Sequence, residues 1–477
     1  MEAITAGRDT YDLNPFFYTP LQSVPAVVYR QRVMQDLQDP GLYTRVSAFA
    51  EAMRTVRESL AHAETTYYTR QQERWFLDAV FKYCEAVLRL AEDLAGAEIR
   101  SAGLTSFRDH LLHYTASVPF RRLQAESERL LQELSAIRYT VLIQGLRVEV
   151  HPYAGGEDYS AEIVRTFERF RQLDAPGYTF TFRDSLEMNH VEAQILDGVA
   201  SLYPEVFSRL TAFRHDHRTF LDPTIASFDR EVQFYLAYLE HIAPLKRVGL
   251  PFCYPQVAET PRRVYARRCF DLALAHRLVR EGNLPVCNDL ELTAPERLVV
   301  VTGPNQGGKT TFARSLGQLH YLASLGCPVP GTEARLLLPD AIFTHFEQGE
   351  DPEGLVGKLE HDLLRIREIL HQATSRSFLI LNEVFSSTSL HDALFLSRQI
   401  AEAVLERDAF CVWVTFVDEL GSLNERTVSM VAEVDPQNPE ARTYRIERRP
   451  ADGLAYALAL ARKHRLTYEQ VRERLRP

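Results

Sequence analysis

The sequence predicts a mixed fold, in which a long helical region precedes an α/β domain. Between residues 29 and 135, apolar residues recur at steps of three and four, which is the period of amphipathic helices. From Arg297 onward, short apolar runs alternate with helical patterns, as is typical of a mostly parallel sheet covered by helices. A chain of 477 residues has room for two or more such domains.

The helical region shows one clear interruption. Residues 138–150 are rich in β-branched side chains on both sides of Gly145, a pattern that predicts a β-hairpin turning at this glycine. Helical patterning returns over residues 160–172 and 189–243. The proline-containing run at 249–255 then ends it.

These changes in pattern define two predicted domains. We assign residues 1–255 to the helical region and residues 256–477 to the α/β domain, with 256–295 as the transition between them. Within the second domain, the predicted strands are residues 298–301, 378–381 and 410–414.

Net charge, apolar runs and cysteine spacing limit the classes of protein to which this chain can belong. The formal charge of −10 argues mildly against a dedicated nucleic-acid binder, although a local basic face remains compatible with it. No run approaches the ~20 apolar residues that span a bilayer, so we expect no transmembrane helix. The N-terminus lacks the basic start and apolar stretch of a secretory signal, which predicts a cytoplasmic protein. The six scattered cysteines form no CxxC pair and are interpreted as inert thiols.

A glycine-rich segment follows the strand predicted at 298–301. Residues 303–310 (GPNQGGKT) fit the Walker A pattern, in which backbone N–H groups wrap a polyphosphate. In this pattern Lys309 reaches the terminal phosphates and Thr310 offers its hydroxyl to Mg²⁺. We therefore predict a P-loop that binds ATP and Mg²⁺. The predicted nucleotide-binding residues of this loop are Gly303, Pro304, Asn305, Gln306, Gly307, Gly308, Lys309, Thr310 and Thr311.

A second polar element follows the strand predicted at 378–381. Asn382 occupies the position of the Walker B aspartate, where an amide can orient a metal-bound water but brings no charge. We predict Asn382 and Thr310 as the metal ligands, and weak Mg²⁺ binding. Glu383 has the position of the residue that polarises the attacking water, so Glu383 and Lys309 are the predicted catalytic residues. The alternative is a strand end capped by two polar side chains without a catalytic role.

Several stretches resemble one family. Residues 302–311 read TGPNQGGKTT, where that family reads TGPNMGGKST. Residues 382–389 (NEVFSSTS) resemble its DE(L/I)GRGTS motif, and residues 415–420 (TFVDEL) resemble its TH(Y/F)xEL motif. Together with the upstream Asn288 and Asp289, they occur in the family's order. The chain thus resembles the MutS mismatch-repair family, most strongly from residue 288 onward.

This resemblance implies an ABC-type P-loop ATPase domain and a homodimer, in which a loop of each subunit closes over the partner's nucleotide. Residues 386–389 resemble part of that contact. The resemblance also implies that Asn288 binds nucleotide, and that the helical region corresponds to the family's core, lever and clamp, with DNA as a candidate partner. Too few residues precede the helical region for the family's mismatch-recognition and connector domains, so we do not expect mismatch reading.

Four departures from the family pattern lead us to expect slow hydrolysis. Phe416 stands where the family has a histidine that senses the terminal phosphate, and Asn382 replaces the metal aspartate. Residues 385–387 replace a glycine–arginine–glycine loop, and Pro285 lies where an adenine-stacking aromatic is often found.

A nearby acidic segment allows two interpretations. Glu347, Glu350 and Asp351 either restore negative charge near the metal or belong to a solvated acidic loop.

The sequence therefore supports two functions. The first is a slow ATPase that acts as a MutS-like conformational switch in DNA repair or recombination. The second is a nucleotide-binding scaffold that hydrolyses little ATP, which Asn382 and Phe416 favour.

Overall fold

The computed structural model describes residues 2–8, 11–145, 147–155, 188–346, 357–434, 442–451, 466–468 and 471–472. The helix predicted over residues 160–172 and the acidic residues Glu347, Glu350 and Asp351 lie outside this part of the chain. The chain forms two compact units. One unit comprises residues 1–38 and 233–477, and the other comprises residues 39–232.

The first unit begins with three helices. They are α1 (Glu2–Thr5), α2 (Asn14–Tyr18) and α3 (Val24–Asp36). The Phe17 ring is fully buried, with its centroid 4.9 Å from that of Phe234. The Gln31 side-chain amide donates to the Pro255 carbonyl at 2.9 Å. Residues 1–38 therefore pack with the C-terminal part of the chain, whereas the sequence-based division at residue 255 assigned them to the helical region.

The second unit is helical. Its elements are α4 (Pro40–Thr65), α5 (Thr69–Ala95), α6 (Ala102–Ala116), α7 (Val118–Ala136), β1 (Tyr139–Gln144), β2 (Arg147–Pro152), α8 (His190–Leu202) and α9 (Pro204–Asp216). The next helix, α10 (Pro223–Arg247), begins in this unit and ends in the first.

Local sequence explains where these helices begin and which faces they bury. The Asp39 carboxylate accepts from the Leu42 N–H at 2.8 Å and caps α4, which starts with a proline. Along α5, Phe76, Val80, Tyr83 and their neighbours at helical spacing are buried, as the apolar periodicity predicted.

The predicted hairpin is confirmed. Strands β1 and β2 pair antiparallel, from Tyr139 with Pro152 to Gln144 with Arg147. Gly145 in the turn has φ 62°, a left-handed conformation that glycine adopts without steric cost.

The rest of the first unit mixes strands and helices. In chain order they are β3 (Phe252–Cys253), β4 (Gln256–Ala258), β5 (Arg263–Cys269), α11 (Leu272–Arg280), β6 (Asn288–Thr293), β7 (Leu298–Thr302), α12 (Lys309–Ser324), β8 (Val329–Pro330), β9 (Glu333–Leu337), β10 (Ile342–His345), α13 (Lys358–Gln372), β11 (Phe378–Asn382), α14 (Leu390–Glu406), β12 (Phe410–Val414), a 3₁₀ helix (Asp418–Ser422), β13 (Thr427–Val434) and β14 (Arg442–Arg448).

A six-stranded sheet forms the centre of this unit. Its strand order is β10-β11-β12-β7-β13-β14, and every pair is parallel except β13 with β14. Every residue of β7, β11 and β12 is buried, which explains why these strands read as continuous apolar runs. The predicted mixed fold with a mostly parallel α/β sheet is confirmed.

Two smaller sheets and the buried thiols complete this unit. The strand orders of the small sheets are β4-β9-β5-β6 and β3-β8. Burial raises the pKa of the Cys269 thiol to about 12, so this cysteine is protonated at neutral pH, in agreement with the interpretation of inert thiols. Within the described residues, no helix is long and apolar enough to cross a membrane.

Replacing Phe17 tests whether the N-terminal helices stabilise the first unit. We expect Phe17→Ala to destabilise this unit by about 3–5 kcal/mol, because the substitution leaves a cavity against Phe234. The neighbouring Tyr18 is 59% exposed, so Tyr18→Ala serves as the matched control, with an expected change within about 0.5 kcal/mol. Chemical denaturation measures both variants. Equal stability of the two would contradict the assignment of residues 1–38 to this unit.

Candidate functional site

Parallel strands of the central sheet bring their carboxyl ends to one edge. Strand β7 ends at Thr302, β11 at Asn382 and β12 at Val414. In the sheet register Asn382 lies beside Val414, and Val414 lies beside Val301. The side chains that follow these strands therefore converge, as is common for ligand sites in α/β proteins.

The glycine-rich loop follows β7 and leads directly into α12. Three of its residues have left-handed backbones: Gly303 (φ 116°), Gln306 (φ 62°) and Gly308 (φ 91°). Successive N–H groups in such turns and at a helix N-terminus can converge on an anion. The backbone is therefore suited to hold phosphate groups.

Close packing explains two of the glycines. A Cβ on Gly303 would lie 2.9 Å from the Ala432 Cβ and 3.1 Å from the Ala432 backbone nitrogen. A Cβ on Gly307 would lie 2.9 Å from the Pro304 carbonyl oxygen. The loop can approach β13 this closely only where side chains are absent.

Lys309 is buried at the start of α12. Its ammonium donates to the carbonyls of Gly303, at 2.9 Å, and Pro304, at 3.0 Å. Burial lowers the pKa of Lys309, whereas the Glu383 carboxylate opposes this shift and Arg442 adds to it. The structure thus places the predicted catalytic pair, Lys309 and Glu383, near enough to interact.

Thr310 and Asn382 meet across the site. The Thr310 hydroxyl donates to the Asn382 Oδ1 at 2.8 Å, and Asn382 is buried at the end of β11. A hydroxyl and an amide oxygen are ligands that suit Mg²⁺, which also retains water and phosphate oxygens in its shell. These residues therefore fit the predicted metal, but neither of them supplies charge. The described residues contain no group of three histidine, cysteine or acidic side chains able to hold a metal.

The turn after Asn382 is strained. Glu383 (φ 52°) and Phe385 (φ 64°) both have left-handed backbones, each of which costs about 1–3 kcal/mol for a residue other than glycine. The Glu383 N–H donates to the Val414 carbonyl at 2.8 Å and fixes the turn to β12. Such strain persists only where the surroundings enforce it, and it is common at functional sites.

A cleft of about 580 Å³ opens in front of these groups. Its size lies within the range of small-molecule sites. The cleft is lined by residues 306–312, by Glu383, and by Leu284, Val286, Asn288 and Tyr444 among others.

Asn288 lines the cleft, and its side-chain amide is bonded to the backbone of β14. Its Nδ2 donates to the Tyr444 carbonyl at 3.1 Å, and its Oδ1 accepts from the Ile446 N–H at 2.7 Å. The side-chain amide thus ties β6 to β14 and shapes the wall of the cleft.

Sequence reasoning missed the aromatic side chain of this wall. Tyr444 is half exposed, has φ 57° and lies beside Gly308. Pro285 is buried, and its neighbours Leu284 and Val286 line the cleft instead. An exposed tyrosine at the start of an edge strand carries no local sequence signal, so only the fold reveals Tyr444.

Phe416 and Thr415 follow β12. Thr415 is buried, and its hydroxyl accepts from the Val417 N–H at 3.1 Å. The Phe416 ring is 48% exposed and is not among the side chains that line the cleft. A phenyl ring cannot hydrogen-bond a phosphate oxygen.

Comparison with known proteins gives matches to the C-terminal region. Residues 299–467 match the family model of MutS domain V. The chain is 36% identical over 185 residues to the DNA mismatch repair protein MutS of Zymomonas mobilis, covering 37% of this chain and 21% of that protein.

Two further relatives agree with these matches. The proteins of the same name from Thermus caldophilus and Thermus aquaticus are both 34% identical over 194 residues, covering 41% of this chain and 23% of each relative. The chain thus spans only about a fifth to a quarter of the length of these relatives. On this evidence the C-terminal region of the chain, residues 299–467, is similar to domain V of MutS proteins.

Proposed function

We propose that this chain binds ATP with Mg²⁺ in the cleft, hydrolyses it slowly, and acts as a MutS-like conformational switch in DNA repair or recombination. The main support is the placement of Lys309 and Glu383 at one cleft, beside a loop whose left-handed residues suit phosphate binding. A cation for the phosphates and a carboxylate for the attacking water are the two charged groups that ATP hydrolysis needs from the protein.

The region around the cleft is proposed to be an ABC-type P-loop ATPase domain. Its support is the strand–loop–helix order of β7, residues 303–308 and α12, within a mostly parallel sheet. The predicted extent of this domain, residues 256–477, remains our proposal.

Each side chain has a separate role in the proposed reaction. The backbone N–H groups of residues 305–308 and the Lys309 ammonium would hold the phosphates, while Thr310 and Asn382 would hold Mg²⁺. Bound Mg²⁺ would neutralise charge on the phosphate oxygens. Glu383 orients the attacking water and accepts its proton. The adenine ring would pack against Leu284, Val286 and Tyr444, which are apolar and aromatic side chains that line the cleft.

The alternative is a scaffold that binds nucleotide but hydrolyses little. Asn382 favours it, because an amide leaves the metal without a protein charge. Phe416 also favours it, since the ring offers no hydrogen bond to a phosphate. The relatives, which are named as DNA mismatch repair proteins, give more support to the switch.

We propose that two copies of the chain form a two-fold dimer through the ATPase domain. We also propose that the helical region binds DNA and that the protein is cytoplasmic. The names of the relatives support DNA as the partner. For the dimer, support comes from the segment after Glu383, where Ser386, Ser387, Ser389 and Leu390 are exposed next to the cleft. A partner subunit at this segment would approach the nucleotide, as an isologous contact allows.

Replacing Lys309 tests nucleotide binding directly. Lys309→Ala should weaken ATP binding at least about a hundredfold, because the buried ammonium is the cation nearest the loop. Lys246→Ala, at an exposed lysine in the last turn of α10, is the matched control and should bind as the wild type does. Calorimetry measures both. Equal ATP affinity for the Lys309 variant and the wild type would refute the assignment of the loop.

Replacing Asn382 with aspartate tests whether the missing charge at the metal limits the rate of ATP hydrolysis. Asn382→Asp should raise turnover, or lower the Mg²⁺ concentration needed for half-maximal rate, by up to about tenfold, equivalent to about 1.4 kcal/mol in the barrier. Glu383→Gln should remove measurable steady-state turnover, leaving only a slow single-turnover reaction, and should leave ATP binding intact. Steady-state phosphate release measures these rates. If Asn382→Asp instead lowers the rate at saturating Mg²⁺, the proposal that Asn382 weakens a MutS-like ATPase site is wrong.

Light scattering tests the proposed dimer. At micromolar concentration the wild type should have the mass of a dimer, with ATP or without it. Leu390→Glu should yield monomers, because Leu390 is 66% exposed beside the proposed contact and a buried charge there is costly. The control is Tyr67→Glu, at an 88% exposed residue of the helical unit, which should leave the dimer intact. A monomeric wild type under both conditions would exclude the dimer.

A further inference from the structure

A buried carboxylate holds the turn that carries Glu383. Asp362 lies on α13, and its Oδ2 accepts from the Phe385 N–H at 3.3 Å. On the other side of this turn, the Glu383 N–H donates to the Val414 carbonyl. The backbone N–H groups of the two left-handed residues are thus bound by two different elements, α13 and β12.

Asp362 has a buried partner at the end of a neighbouring strand. The Asp362 Oδ1 lies 3.1 Å from the Nε2 of His345, the last residue of β10, and both side chains are less than a tenth exposed. The net effect of burial is to lower the pKa of His345 below its ordinary value, although the Asp362 charge opposes this shift. At neutral pH a neutral imidazole therefore packs against the Asp362 carboxylate, which accepts a hydrogen bond from the Phe385 N–H.

Strand pairing places His345 close to Asn382, one of the two predicted metal ligands. His345 lies beside Leu381 in the register of β10 with β11, one residue before Asn382. The end of β10, helix α13 and the turn at residues 383–385 are therefore joined through one carboxylate.

Neither side chain of the pair lines the cleft. Asp362 and His345 cannot touch a nucleotide or the attacking water from this position, so a direct catalytic role is excluded. Any effect of the pair on hydrolysis must pass through the backbone of the turn.

We propose that Asp362, supported by His345, is a positioning residue that places the Glu383 carboxylate against the attacking water. This inference rests on the proposed function as an ATPase. It goes beyond that function, since it assigns two buried residues outside the cleft to the chemical step.

ATP hydrolysis should depend on Asp362, whereas ATP binding should not. Lys309 begins α12, and the loop amides lie between β7 and α12. Among the described contacts none of these groups makes a hydrogen bond to Asp362 or His345. A displaced Glu383 should therefore leave the phosphates bound and slow only the reaction, because catalytic groups lose efficiency steeply with small displacements.

The test compares turnover with nucleotide affinity in Asp362→Ala. We expect kcat to fall at least about tenfold, with the Kd for ATP within about twofold of the wild-type value. The matched control is Asp340→Ala. The Asp340 carboxylate accepts from Ser377, at 2.9 Å, and Thr374, at the opposite end of β11, so its loss should change kcat less than about twofold.

A second variant keeps the test valid if Asp362→Ala does not fold. Asp362→Asn retains an oxygen for the Phe385 N–H and removes only the charge, so its kcat should lie between those of the wild type and the alanine variant. In a Glu383→Gln background, either substitution should change the residual single-turnover rate less than about twofold, since Asp362 acts only through Glu383.

The outcomes separate the two claims. A wild type that does not bind ATP contradicts the proposed function. A wild type that hydrolyses ATP, with an unchanged kcat in Asp362→Ala and Asp362→Asn, overturns only the role of Asp362. A further rate loss in the Glu383→Gln background, or a parallel loss of kcat and affinity, also overturns it.

Discussion

The parallel pairing of three fully buried strands is the constraint on which the site depends. Because β7, β11 and β12 run in one direction and in fixed register, the residues that follow them meet at one edge of the sheet. The glycine-rich loop, Asn382 and Glu383 all lie within a few residues of those ends. Burial also leaves no water to replace the backbone hydrogen bonds of these strands, so a change of register would be costly. The fold thereby fixes the positions that the proposed chemistry requires.

At this edge the groups suited to phosphate and those suited to the metal differ in charge. On the phosphate side Lys309 is buried, with its charge held against backbone carbonyls. On the metal side Thr310 meets only the neutral Asn382, so two oxygens are present without a carboxylate. Phosphate binding draws mainly on the first group, and catalysis draws on both. For the proposed ATPase, this difference in charge predicts that nucleotide is held well and turned over slowly.

Local patterns predicted the elements whose signals lie within a few residues of the chain. The buried strands read as apolar runs, Gly145 marked the hairpin, and α5 showed its buried face by spacing. Contacts between distant residues left no such signal. Phe17 packs on Phe234, Asn288 binds the backbone of β14, and Asp362 binds the Phe385 N–H. Each of these contacts joins residues too far apart in the sequence for hydrophobic periodicity to predict. Lys309, Thr310 and Glu383 line one cleft and Asn382 bonds to Thr310, whereas the residues that hold them in place required the structure.

The Mg²⁺ dependence of the wild-type protein tests the central claim most directly. ATP binding and ATP turnover should be measured over the same range of Mg²⁺ concentrations. An intact phosphate loop beside a neutral metal side predicts that ATP binds at low Mg²⁺, and that turnover saturates only at Mg²⁺ concentrations about tenfold higher. Absence of ATP binding, or binding and turnover that saturate at the same Mg²⁺ concentration, would contradict this account.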